Sequence, residues 1–215
     1  MKSISLYIAF VLVFIGCASG QSRNDFATLP QAKPDESVAT FGGGCFWSMS
    51  EAMSELKGVD KVVSGYAGGT KKDPTYEEVG TQATGHAEVV QIYYDPKMIS
   101  YERLAQAFFF AHDPTELNRQ GPDEGTDYRS IAFYRTPEEK EILVNTIKKV
   151  NAGKHYSGPI VTQVVPFKAF YPAEKYHQGY YRLHGDSPYI ASVSEPKVMK
   201  FRKAMKAELK PEFQK

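Results

Sequence analysis

The sequence predicts an α+β domain, a two-layer sandwich of a mixed β-sheet with helices packed on it. Three observations lead there. Segments of period 2, such as HAEVVQIYYD (86–95), alternate with segments of helical period, such as the run from Ser100 to Ala111. The strand segments are unevenly spaced, unlike the steady repeat of a wound parallel sheet. The chain closes on an amphipathic stretch, 194–209, whose Val198, Phe201, Met205 and Leu209 fall on one helical face. At 215 residues and 42% hydrophobic, the chain is long and apolar enough for one sizeable core.

The elements follow in order. SVATF (37–41) is a strand, and Trp47–Leu56 is a helix with Ala52, Met53 and Leu56 inward. VDKVVSGY (59–66) is a strand running into glycines at 67–69. Residues 86–95 form the clearest strand, ended by Asp95-Pro96. Ser100–Ala111 is a helix with Leu104, Ala107, Phe108 and Ala111 inward. Residues 113–129 read as a long polar loop, and SIAFY (130–134) as a strand. Thr136-Pro137-Glu138-Glu139 supplies an N-cap, a proline at the first helical position and a capping-box glutamate for a helix reaching about Val150. PIVTQVVPF (159–167) is a strand, 173–183 a short helix, and 194–209 the last helix.

Ahead of this domain, residues 1–17 carry Lys2, an apolar stretch from Leu6 to Gly16, and then Cys17. A basic start followed by so short an apolar run predicts a signal peptide, since a membrane span needs about 20 apolar residues. FIGC resembles a bacterial lipobox, which makes Cys17 the lipidated first residue of the mature chain. The alternative is plain secretion after cleavage near Gly20. Either way export is expected, with a lipid-anchored protein facing the periplasm as the favoured outcome. Residues 18–36 are polar with two prolines and read as a flexible tether; the catalytic domain is 37–215. The formal net charge is +1, and Lys2 in the leader tips it, so nothing marks a nucleic-acid binder.

Cys45 is the one cysteine outside the leader. It follows GGG (42–44) and precedes Phe46 and the sole tryptophan, Trp47. Glycines permit a sharp turn and close approach of a ligand. A thiol at a helix start feels the positive dipole end and free N–H groups, which predicts a lowered pKa. The aromatic pair offers an apolar wall. Glu88 shares a strand face with Val90, Ile92 and Tyr94, so it is either a buried carboxyl with a raised pKa, suited to general acid work, or a solvated end position. Tyr76 in DPTYEEVG and Tyr128 in DEGTDYRS stand out from the other tyrosines because both lie in Gly-, Pro- and Asp-rich loops.

Together GCFW (44–47), GYAGG (65–69), PTYEEV (74–79), GHAEVVQIYYDP (85–96), FFFAHDPT (108–115), GPDEGTDYRS (121–130) and AEKYHQGYY (173–181) resemble peptide methionine sulfoxide reductase, type A, over roughly 37–209. The resemblance implies a two-layer α+β fold, expected as a ferredoxin-like plait, and reduction of the S epimer of methionine sulfoxide, free or in proteins. It implies Cys45 as nucleophile, Phe46 and Trp47 as the wall for the substrate methyl group, and Glu88, Tyr76 and Tyr128 as the groups that hold and protonate the sulfoxide oxygen. Asp123 matches the acidic residue of the loop before Tyr128. His86 matches a position beside Glu88 and is grouped with the substrate-binding residues, its role there structural. No metal or cofactor is implied, and a monomer is expected.

One departure matters. Many relatives place a resolving cysteine where this chain reads GDSPYIAS (185–192): Tyr189 matches, but Ile190 stands in the cysteine's place, and no cysteine follows. The expected sulfenic acid must then be reduced by a thioredoxin-like, glutaredoxin-like or small-thiol donor. Cys17 could reach as a resolving thiol, but lipidation would consume it.

Two other classes compete. A cysteine hydrolase or acyltransferase would use Cys45 with His86 or His177 as base, yet Phe46 rather than Trp follows the cysteine, against the papain pattern. A non-catalytic lipoprotein would bind partners through its basic C-terminal helix. The five histidines are dispersed, and His177 with His184 makes no metal motif.

Overall fold

In the computed structural model, residues 25–214 are described. The leader and Cys17 lie outside them. The elements are β1 (Ser37–Gly42), α1 (Phe46–Ser54), β2 (Val59–Ala67), α2 (Tyr76–Gly80), β3 (Ala87–Tyr94), α3 (Tyr101–Phe110), β4 (Arg119–Gln120), β5 (Asp123–Glu124), β6 (Ile131–Tyr134), α4 (Pro137–Ala152), β7 (Gln163–Pro166), β8 (Phe170–Pro172), α5 (Tyr180–Leu183) and α6 (Glu195–Ala204). A π-helical turn, Ile190–Ser194, leads directly into α6.

Six strands form one curled sheet in the order β7-β6-β1-β3-β2-β8, and β4 pairs with β5 separately. Within the large sheet β6 and β7 run parallel and every other pairing is antiparallel. The α+β class read from the sequence is the one observed. Because β3 lies between β1 and β2, all eight of its residues are buried, which places Glu88 inside and not at a solvated end. Its alternation sorts the two faces. Val90, Ile92 and Tyr94 join the core beneath the helices with Phe41, Met49, Met53, Leu104, Phe108 and Phe201. Ala87, Val89 and Tyr93 join Val63, Ile131, Phe133 and Phe170 on the other side. Phe41 stacks on Phe108 at 4.8 Å, tying the first strand to α3.

Several expected elements shorten. The strand predicted over 159–167 keeps only Gln163–Pro166. The final helix ends at Ala204 and passes through a 3₁₀ turn, yet Val198, Phe201, Met205 and Leu209 are all buried as the spacing requires. The loop expected over 113–129 contains the small β4–β5 pair and a 3₁₀ turn, Thr126–Tyr128. Thr136 caps α4 by accepting from the Glu139 N–H, but the Glu139 carboxylate turns away to the Arg135 N–H at 2.6 Å, so the reciprocal half of that capping box is absent. A complete box forms instead at Thr75 and Glu78, fixing the start of α2.

Of the segment read as a tether, the described part lies against the domain. The Ala27 N–H donates to the Ala173 carbonyl at 3.0 Å, the Tyr93 hydroxyl donates to the Pro30 carbonyl at 3.0 Å, and Lys33 pairs with Asp60 at 2.8 Å.

Two carboxylates on the α1 side bind the C-terminal elements. Arg182 donates to both oxygens of Glu51 at 2.9 and 2.8 Å. Arg202 grips the fully buried Glu55 through Nε and Nη2, the shortest bond being 2.6 Å. Removing one partner of such a pair strands a buried charge. Arg202→Ala should therefore lower unfolding stability by about 3 kcal/mol, seen as a lower urea midpoint at unchanged slope.

Candidate active site

The glycine run is explained position by position. A Cβ on Gly42 would lie 2.6 Å from the Glu88 carbonyl, and one on Gly43 would lie 2.7 Å from the His112 ring. Gly44 has φ +81°, the left-handed region that side chains avoid, and a Cβ there would meet Gln120 at 2.5 Å. These contacts let β1 turn sharply, and the Gly44 N–H donates to the Tyr128 carbonyl at 3.1 Å. Cys45 becomes the N-cap residue of α1, and its carbonyl receives the Ser48 hydroxyl at 3.1 Å.

Glu88 reaches this helix start from β3. Its Oε2 accepts the Phe46 N–H at 3.0 Å, so the carboxyl sits on one of the orphan donors of α1. Glu88 is 2% exposed, and burial lifts its pKa to about 8, with Asp127 and Asp123 adding to the rise and the Phe46 N–H opposing it. The carboxyl is thus mainly protonated at neutral pH.

The expectation for Cys45 is overturned. The thiol is 5% exposed, and burial pushes its pKa up, not down, with the Glu88 charge adding to the rise. The Trp47 N–H at the helix start and the Tyr189 hydroxyl pull the other way without prevailing. Desolvation outweighs the helix dipole because the sulfur has left water altogether, whereas the dipole supplies only partial charges. The resting site therefore holds a thiol beside a carboxylic acid.

Tyr76 and Tyr128 complete the cluster. Both phenols feel Glu88 and Cys45, and burial, the largest cause, raises the pKa of each. Both stay phenols. Tyr76 is the first residue of α2, and Tyr128 ends the 3₁₀ turn whose carbonyl holds Gly44. Asp123 accepts the Tyr189 hydroxyl at 2.7 Å, with Lys197 at 3.6 Å. The Tyr189 hydroxyl also lies close enough to Cys45 to oppose the rise in the thiol pKa.

The two aromatics after Cys45 differ. Phe46 is 1% exposed, with its ring packed 4.9 Å from His177 and 5.9 Å from Tyr66. Trp47 is only partly buried. It stacks on Tyr180 at 3.8 Å, meets Tyr189 edge-on at 5.6 Å, and donates from Nε1 to His177 Nδ1 at 3.1 Å. Of the two rings, Trp47 is the one left partly open to solvent.

His86 does not join them. Its Nδ1 accepts the Gly69 N–H at 3.1 Å, its Nε2 lies 2.7 Å from the Lys71 carbonyl, and its ring meets Tyr171 edge-on. It fastens the 69–71 loop. Sequence reasoning gave Tyr189 no site role, and it read His177 as packing or as a rival base. The signal for both was position alone, since AEKYHQGYY and SPYI carry no periodicity that would aim a side chain at Cys45.

An α+β sheet that holds the one thiol among the described residues, shielded from water, against a protonated carboxyl and two phenols defines a class, that of thiol enzymes equipped to protonate an oxygen as sulfur attacks. The comparisons narrow it. A family profile described as peptide methionine sulfoxide reductase matches residues 37–209. A relative named peptide methionine sulfoxide reductase MsrA, from Polynucleobacter asymbioticus, is 45% identical over 175 residues, covering 81% of this chain and 92% of that protein. Reduced Mxr1 from Saccharomyces cerevisiae superposes with a TM-score of 0.68 at 33% identity, over 73% of this chain and 91% of that one. Mxr1 in complex with Trx2 aligns with a TM-score of 0.50 at 24% identity, over 70% and 89%, a likeness of fold. The chain belongs to the peptide methionine sulfoxide reductase family.

Proposed function

We propose that this chain reduces the S epimer of methionine sulfoxide, free or in proteins, by attack of Cys45 Sγ on the sulfoxide sulfur. The observation that carries the reading is the protonated Glu88 carboxyl, which shares the buried site with the thiol and two phenols. The substrate methyl group packs on Trp47, and its oxygen accepts from Tyr76 and Tyr128. As the S–S bond begins to form, Glu88 delivers its proton to that oxygen and the Cys45 proton passes to the vacated carboxylate. The protonated oxygen then passes from the methionine sulfur to Cys45 Sγ as the S–O bond and the transient S–S bond break, so Cys45 is oxidised by two electrons to a sulfenic acid and methionine, reduced by two, leaves as the thioether. Two equivalents of an external thiol then return Cys45 to the thiol, forming a disulfide and water. A thioredoxin-type donor is the favoured class, given that Mxr1 is found in complex with Trx2; glutaredoxin-like proteins and small thiols are the other donors to test.

The two histidines the hydrolase reading would use are otherwise engaged, His86 by the 69–71 loop through both ring nitrogens and His177 by accepting the Trp47 N–H at Nδ1, which leaves its ring proton on Nε2. Turnover of both epimers of a methionine sulfoxide peptide with each class of donor tests the proposal. Consumption of the S epimer alone is expected, and equal use of the R epimer would reject it. For the N-terminus we propose a signal peptide ending before Cys17 and a lipid-anchored, monomeric enzyme facing the periplasm, supported by FIGC (14–17). Mass spectrometry of the mature protein should find an acylated Cys17, and an unmodified terminus elsewhere rejects the anchor.

A further inference from the structure

We infer that Glu174 is a positioning residue for Tyr76, fixing from behind the phenol that receives the sulfoxide oxygen; the inference rests on the role proposed for Tyr76. Glu174 is fully buried, and the ion pairs among the described residues give it no lysine or arginine. Its two oxygens are divided between two donors. Oε1 accepts the Tyr76 backbone N–H at 2.9 Å, and Oε2 accepts the Tyr66 hydroxyl at 2.9 Å. Tyr76 opens α2, so this N–H is an orphan donor that the helix cannot satisfy, and the Thr75 cap is committed to the Glu78 N–H.

Glu174 is itself held on its main chain. It bridges to Phe26, its carbonyl accepts the His177 N–H at 3.0 Å, and the neighbouring Ala173 N–H donates to Ser64 at 2.9 Å. The same carboxylate lies 3.8 Å from His177 Nε2, an atom buried without a hydrogen-bond partner. The His177 ring packs 4.6 Å from Tyr76, and its Nδ1 receives the Trp47 indole N–H. One buried carboxylate thus fixes the main chain that carries the Tyr76 phenol, and it lies beside the His177 ring that receives the Trp47 indole N–H.

The choice of residue follows from donor chemistry. A carboxylate presents an acceptor to each of its two donors, whereas glutamine would turn an NH₂ group toward one of them. With Glu174→Gln the N–H of Tyr76 or the hydroxyl of Tyr66 loses its acceptor, and the phenol of Tyr76 shifts relative to the sulfur. Small misplacements of this kind slow a chemical step without abolishing binding.

The test is single-turnover reduction of a methionine-S-sulfoxide peptide by the wild type, Glu174→Gln, Tyr76→Phe and the double variant, with substrate affinity measured alongside. Glu174→Gln should slow the step about tenfold, with affinity unchanged within about twofold. On the Tyr76→Phe background it should add less than about twofold, because the two act as one unit. A wild-type rate for Glu174→Gln, or slowing that multiplies with that of Tyr76→Phe, would overturn the inference. A wild-type rate for Tyr76→Phe would instead strike the role of Tyr76, and this inference with it. Should Glu174→Gln fail to fold, Glu174→Asp, whose oxygens are withdrawn by one methylene, reads the same coupling by the same criteria.

Discussion

Cys45→Ser should remove sulfoxide reduction by a factor on the order of 10⁴ or more. The serine fills the same N-cap position, and the Phe46 N–H keeps Glu88, so the fold and the acid remain in place. What is lost is the capacity of the attacking atom to accept oxygen and become oxidised. The wild type offers a sharper count. Without reductant, each mature chain should release one methionine and stop, holding a sulfenic acid on Cys45. Ile190 occupies the place of a resolving cysteine and is buried in the turn leading to α6, so a second equivalent has no internal thiol to draw on. Residual turnover near wild type in Cys45→Ser, or two methionines per acylated wild-type chain, would sink the assignment.

Glu88→Gln should slow the chemical step by about 10²- to 10⁴-fold, while substrate affinity changes little. The amide oxygen can still accept the Phe46 N–H, and the NH₂ group can still point at the sulfoxide oxygen, but it cannot hand over a proton. The pH profile carries the same message. Glu88 loses its proton near pH 8, so the wild-type single-turnover rate should be level below that value and fall above it. The variant should lose that limb. Stability follows with its own sign. Folded Glu88 keeps its proton to about pH 8, whereas unfolded Glu88 releases it in the ordinary carboxylate range. Across that interval the folded state binds more protons, so stability declines as pH rises and levels off above about 8. An unchanged single-turnover rate in Glu88→Gln would remove Glu88 as the acid.

The rise in both pKa values also sets the order of events. At neutral pH the thiol and the acid are both uncharged, and separated charges in this dry site would be costly. In the proposed mechanism, proton delivery to the sulfoxide oxygen and deprotonation of Cys45 are therefore coupled to the arrival of substrate. A free thiolate in the resting enzyme would lie open to stray oxidants, and the buried thiol avoids that exposure.

Much of this protein was decided locally. The period-2 run of β3, the caps of α3 and α4, the glycines ahead of Cys45 and the apolar face of the last helix all act over a few residues, so the sequence by itself determined the α+β class and the strand-turn-helix around the thiol. The tertiary structure alone decided their environments. Whether Glu88 was buried or solvated depended on β3 lying between β1 and β2. The direction of the Cys45 shift depended on how completely the sulfur left water, a sum over residues as distant as Tyr189 and Glu88. The places of His86, Tyr189, His177 and Glu174 depended on loops that meet only after the sheet has closed. Periodicity and capping are short-range properties of the chain, whereas desolvation and hydrogen-bond partnership belong to whatever the fold brings alongside.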